Sequence, residues 1–272
     1  MRYAAPGAPP AASAEPLFGP LRFLSRVYTF CLVEVQKLSH DRTELLTRAV
    51  QPVLWLVVFG ETFDRLHAVP TGGISYLDFL APGIIAQSGL FVSIFYGIQI
   101  IWERDAGMLT KLLVTPTPRS AFILGKAFAA AIRSMAQVVV VLLVSALLGV
   151  TLSKNPLDIL GSFAAVTLGS AFFACLSMSI AGVVLKRDRL LGIGQMITMP
   201  LFFASNALYP IAVMPVWVRA LSRVNPLSYE VSALRSLLIG TPTNLALDFG
   251  VLLVSVAIGV MVASLLIDRL AR

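Results

Sequence analysis

The sequence predicts an all-α membrane protein with six transmembrane helices, an N-terminal amphipathic interface helix and a re-entrant extracellular helical hairpin before the last span. Three observations predict it. Of 272 residues, 57% are hydrophobic and 13% are charged, with a mean hydropathy of +0.86. That charged share is about half of what a soluble chain carries, and a soluble domain of this size could not hide so much apolar surface in one core. The apolar residues fall in long runs with polar breaks between them, and the basic residues collect in alternate loops. The net charge of +7 therefore has a simpler cause than nucleic acid, which is not expected as a partner.

Residues 1–20 are dominated by Ala, Pro and Gly and read as a disordered cytoplasmic tail. With no continuous apolar core behind a basic start, they do not read as a signal peptide. From 21 to 46, Leu24, Val27, Tyr28, Cys31, Val35 and Leu38 recur at helical spacing, with Arg22, Arg26 and Lys37 around the stripe. That is an amphipathic helix of the kind that lies on a membrane surface. Residues 47–272 then form the six-span domain. The spans are expected near 48–66, 77–102, a third running to Val150 with its apolar part from Met135, then 158–185, 190–211 and 246–267. Each approaches the ~20 residues that a bilayer core requires, the first being the shortest.

Charge counting gives the orientation. With the N-terminus in the cytoplasm, the tail and surface helix place Arg2, Arg22, Arg26, Lys37, Arg42 and Arg48 inside. The loop after span two adds Arg104, Lys111, Arg119 and Lys126, and the loop after span four adds Lys186, Arg187 and Arg189. Arg269 and Arg272 end the chain, which makes 15 inside against 5 outside: Arg65, Lys154, Arg219, Arg223 and Arg235. The bias supports both termini in the cytoplasm. Arg133, the remaining cation, lies in the third helix seven residues after Lys126, where snorkelling would relieve it.

The stretch 212–240 breaks at Asn225-Pro226 and stops at Gly240 and Pro242. Each half is too short and too charged to span. Two short helices forming a hairpin on or in the outer leaflet are expected, with Trp217 and Tyr229 at headgroup level and Glu230 and Arg235 on the second helix.

The chain has no G-x-x-x-x-G-K-[ST], no nucleophile elbow and no metal motif, so it reads as a non-enzyme with no cofactor or metal of its own. Cys31, Cys175, His40 and His67 form no cluster. Acidic residues avoid the centres of the spans: Glu61, Asp78, Asp158 and Asp248 fall near predicted ends. Ion-coupled carriers use buried carboxylates, so energy is expected from another polypeptide. The segment 103–118 begins with Glu103, Arg104 and Asp105, turns at Gly107, offers Leu109, Leu112 and Leu113, and stops at Pro116 and Pro118. A short amphipathic helix there could press into a partner's groove, or the segment could be an ordinary positive-inside loop.

Residues ERDAGMLTKLLVTPTPRSAFILGKAFA resemble the first cytoplasmic loop of type-2 ABC exporter permeases. NPLSYEVSALRSLLIG resembles the hairpin before their last span, and FFASNALYP the end of their fifth helix. The pieces come in the family's order over nearly the whole chain after about residue 20, and look most like the membrane subunits of daunorubicin-type drug exporters and nodulation lipo-oligosaccharide exporters. One departure is Asn206, where a small residue is expected. The resemblance implies a permease subunit in a bacterial inner membrane, paired with a second permease and with two ABC ATPase subunits that hold ATP and Mg. It implies ATPase coupling through Arg26 and Lys37 of the interface helix and Glu103, Arg104, Gly107, Leu109 and Leu112 of the coupling segment. Spans two and five would then line the path, with Gln87, Phe91 and Phe95 on one side of span two and Phe202, Asn206 and Tyr209 on one side of span five. Aromatic rings with a few amides suit an amphipathic drug or lipid-like substrate. A polysaccharide or glycolipid exporter is the alternative, and an ion-coupled carrier or a non-transporting scaffold is the reading from another class.

Overall fold

A computed structural model describes residues 28, 29, 32, 36, 42–66, 69–71, 73–107 and 119–271. The expected tail, most of the interface helix with Arg26 and Lys37, and the coupling segment from 108 to 118 with Leu109 and Leu112 lie outside these residues.

Among the described residues the chain is helical and has no strand. Helix α1 (Arg42–Leu54) continues through a π-helical stretch, Trp55–Gly60, into α2 (Glu61–Leu66). Then come α3 (Tyr76–Ile98), α4 (Ile100–Asp105), α5 (Arg119–Leu147), α6 (Pro156–Val184) and α7 (Arg187–Phe203). A short 3-10 turn, Ile211–Val213, leads to α8 (Val216–Val224), α9 (Pro226–Ile239) and α10 (Leu245–Ala271). Among the described residues four helices are long and apolar enough to cross a membrane: Tyr76–Asp105, Arg119–Leu147, Pro156–Val184 and Leu245–Ile267.

The middle of the molecule is α3. Leu80, Ile84, Ile85, Leu90, Ile94 and Ile98 of that helix are all buried, with α5, α6, α9 and α1 around it. The helices come close because small residues line the contacts. A Cβ at Gly97 would lie 2.5 Å from the Cβ of Ser177 and 2.7 Å from the carbonyl of Ala174 on α6. Between helices in lipid, packing and cross-helix hydrogen bonds replace the hydrophobic drive that water supplies. The Ser177 hydroxyl accordingly donates to the Ile94 carbonyl at 2.6 Å, and Ser93 meets Ser134 across α3 and α5 at 3.1 Å. By contrast α10 keeps Leu253, Val254, Met261 and Leu265 exposed, the apolar face that a bilayer would cover.

The caps explain where helices begin and end. Ser75 accepts from the Asp78 amide at 3.0 Å ahead of α3, and Asn155 caps α6. Asn225 accepts from the Leu227 amide at 3.1 Å, Pro226 takes the first helical position of α9, and Gly240 closes that helix with φ +73°. The Asn225-Pro226 break thus separates two short helices, as the sequence reading has it. Two boundaries differ. The helix at the first expected span starts at Arg42, inside the stretch assigned to the interface helix. The fifth expected span, 190–211, is helical only to Phe203 and covers 17 residues from Arg187. Ser205 ends it: its hydroxyl donates to the Phe202 carbonyl at 2.6 Å and accepts from the Ala207 amide at 3.3 Å, which replaces helical bonding with a local turn.

Candidate functional site

Three places gather the polar chemistry. At the end of α4, the Glu103 carboxylate forms an ion pair with Lys126 of α5. Their side chains are only 15% and 8% exposed, so each charge depends on the other. Lys126 also lies 5.3 Å from the centre of the Tyr96 ring, and the Arg133 guanidinium 5.0 Å from the same ring. The next residue, Arg104, points elsewhere: it donates to the Leu185 carbonyl at 3.0 Å and to Asp105 at 2.8 Å. Leu185 caps α6 with φ +56°, a left-handed conformation uncommon for a side chain of this kind. A cation there suits the negative end of the α6 dipole. Gly107, with φ +69°, carries the chain away from α4. On the same side Arg187 stacks 4.9 Å from the centre of Trp102.

Elsewhere, α1, α3 and α5 line an open cavity of about 280 Å³. Gln87, Phe91 and Phe95 of α3 line it together. The two phenylalanine rings stack with centroids 6.5 Å apart and 21° between planes. The opposite walls come from Thr47, Gln51 and Pro52 of α1 and Gln137 of α5. Sequence reasoning named none of these four. Gln51 and Gln137 were legible as rare amides in apolar runs, but no pattern joined them to Gln87.

The third place lies between the end of α7 and α9. The expectation that Phe202, Asn206 and Tyr209 share one helical side of span five is not met, because α7 ends at Phe203. Phe202 is fully buried and packs edge-on against Trp55 at 5.9 Å. The Asn206 amide donates to Ser232 of α9 at 2.9 Å, and its backbone carbonyl accepts from Arg235 at 3.0 Å. Tyr209 turns back and donates its hydroxyl to the Phe203 carbonyl; partial burial raises its phenol above the ordinary value. None of the three lines the cavity.

In the hairpin, Trp217 is 69% exposed and Tyr229 donates to the Arg223 carbonyl at 2.7 Å. Arg235 is buried: it donates to the Phe79 carbonyl at 3.1 Å and sits 3.8 Å from the centre of the Phe79 ring. Glu230 is also fully buried, and neither carboxyl oxygen has a hydrogen-bond partner among the described residues. Its head fits where Gly169 of α6 has no side chain; a Cβ there would collide with the carboxyl group. With no donor and no paired cation, desolvation favours the protonated, neutral acid. The sequence placed this acid on an outer hairpin and gave no sign that it would be buried.

The family model described as ABC-2 type transporter matches residues 26–239. A putative transport permease ycf38 from Porphyra purpurea is 30% identical over 203 residues, covering 74% of this chain and 69% of the relative. Nodulation protein J from Rhizobium leguminosarum bv. viciae is 25% identical over 228 residues, 83% of this chain and 86% of its own. The daunorubicin resistance ABC transporter permease protein DrrB1 from Streptomyces coeruleorubidus is 24% identical over 203 residues, 75% of this chain and 71% of the relative.

Proposed function

The chain belongs to the ABC-2 type transporter family, and from that premise we propose that this permease subunit exports an amphipathic drug or lipid-like molecule, driven by ATP hydrolysis on a separate ABC ATPase. The observation that carries the reading is the cavity between α1, α3 and α5, walled by amides and stacked phenylalanines inside the apolar part of a multi-pass membrane protein. Such a mixture holds a molecule that is apolar over most of its surface and polar at a few points.

In this proposal the chain crosses the membrane six times, with the α1–α2 helix and α7 joining the four long spans. Both termini are cytoplasmic and the membrane is the bacterial inner membrane. The α8–α9 hairpin enters the outer leaflet and returns. Two permeases pair, with one ATPase under each, and ATP and Mg reside on the ATPases. ATP binding draws the ATPases together and pushes on the interface helix and on residues 103–118. Glu103 passes that push to α5 through Lys126, and Arg104 passes it to α6 through its hold on Leu185. The paired permeases then exchange inward-open and outward-open forms as rigid bodies. Phe202 and Asn206 support the walls of the path from behind, and Tyr209 steadies the turn beyond α7.

Co-expression with candidate ABC ATPases from the same organism, reconstitution into liposomes and measurement of ATP-dependent export test the proposal. Export of amphiphiles that stops with a hydrolysis-deficient ATPase, and that falls at least ~tenfold with Phe95→Ala, is the expected result. An ATPase that neither co-purifies nor alters export ends it. Buried Glu230 favours one second reading, an ion-coupled carrier. Export that persists without ATP and collapses with the pH gradient would select that reading.

A further inference from the structure

We propose that the cavity between α1, α3 and α5 binds an uncharged, hydroxyl-bearing ring of the transported molecule and turns away ionised groups. The proposal rests on the transport reading above and deepens it to a substrate class.

Among the described residues that line the cavity, none has an ionisable side chain. Arg133, one turn before Gln137 on α5, is held over the Tyr96 ring and does not line the cavity. An ammonium or carboxylate placed there would give up water and gain no counter-charge from these residues, which costs far more than burying a neutral polar group.

The polar lining consists of amides and hydroxyls. The Ser88 hydroxyl is committed to the Ile84 carbonyl at 2.8 Å. Gln87 is not committed: it is 3% exposed, and its side-chain oxygen is buried without a hydrogen-bond partner. Leaving such a group unsatisfied costs about 1–3 kcal/mol, a cost that a ligand can relieve. An amide carries a donor end and an acceptor end of nearly identical outline. A hydroxyl both donates and accepts, so it serves whichever end is presented; an ammonium only donates and a carboxylate only accepts.

Shape and volume complete the class. Phe91 and Phe95 present stacked faces, which suit a ring better than a chain. The cavity of about 280 Å³ corresponds to about nine waters at their ~30 Å³ share of liquid. It is slightly below the ~300–1,000 Å³ of pockets that enclose whole drug-sized ligands. One substituted ring fits.

The full chain in lipid nanodiscs can be titrated with hexyl glucoside, hexylammonium and hexyl sulfate, which share a tail and differ in head group. Empty nanodiscs correct for partition into lipid, and ligand-observed NMR reads saturable binding. Hexyl glucoside is expected to bind saturably and at least ~tenfold more tightly than either ion, and Gln87→Leu to remove about that factor. Gln87→Glu is expected to reverse the order in favour of hexylammonium. If Gln87→Leu fails to elute as folded protein, Gln51→Leu on the facing helix replaces it and is expected to weaken hexyl glucoside by roughly threefold. No saturable glucoside binding, ions that bind as tightly, or a folded Gln87→Leu that binds unchanged each overturn the proposal. The permease alone suffices for this measurement. Glucoside binding without ATP-dependent export would therefore refute the transport reading, and ATP-dependent export without the glucoside preference would refute only the substrate class.

Discussion

Glu103 and Glu230 are two acids removed from water by the same bundle, and the bundle treats them in opposite ways. Glu103 meets a cation, Lys126, that reaches it from the neighbouring helix. Glu230 meets glycine: the space that Gly169 leaves open holds its carboxyl group, and no donor answers it. The first is an electrostatic solution, available near a helix end, where a lysine from the next helix can reach the carboxylate. The second is a steric one, available at depth, where keeping the proton is less costly than keeping the charge. The two acids therefore respond differently when charge and volume are changed separately.

Thermal unfolding of detergent-purified variants, converted to apparent stability, measures that difference. The largest effect is expected for Glu103→Ala, which strands Lys126 in a nearly buried site and costs about 3–5 kcal/mol; Lys126→Met in the same chain should restore most of it. Gly169→Ala comes next, at about 1–3 kcal/mol, because the new methyl group must displace the Glu230 carboxyl. Combining it with Glu230→Ala should relieve that cost, and additive losses in the double variant would mean that the two do not share one space. Glu230→Gln should change stability by less than ~1 kcal/mol, since a neutral acid becomes a neutral amide of similar shape. A loss as large as that of Glu103→Ala would break the comparison by revealing an ionised Glu230. The smallest effect, about 0.3–1 kcal/mol, is expected for Arg104→Ala, which removes one cation from the carboxyl end of α6.

Much of the fold was legible. The long apolar runs gave the four long helices, and Asn225-Pro226 with Gly240 gave the two helices of the hairpin, because capping chemistry is local. The end of the fifth apolar run was not legible, since LFFASNALYP stays apolar past Phe203 and only the folding-back of Ser205 stops the helix. Gln87, Phe91 and Phe95 could be grouped because they share one helix. Gln51 and Gln137 could not, because hydropathy has no term for which faces of different helices meet. The same limit hid the Glu103–Lys126 pair, 23 residues apart in sequence, and the burial of Glu230, which depends on a missing side chain 61 positions earlier, at Gly169.

The π-helical stretch Trp55–Gly60 has a consequence for sequence length. A π segment differs from an α-helix by one surplus residue, taken up in a wider turn. The flanks, with Gln51 on one side and Phe63 on the other, keep their faces only while that surplus is absorbed between them. Deleting one residue from 56–58 should therefore be tolerated, with the turn narrowing to ordinary α-helix. The same deletion in α3 would rotate everything beyond it by about 100°. The first helix thus has room to lose a residue that the central helix does not have.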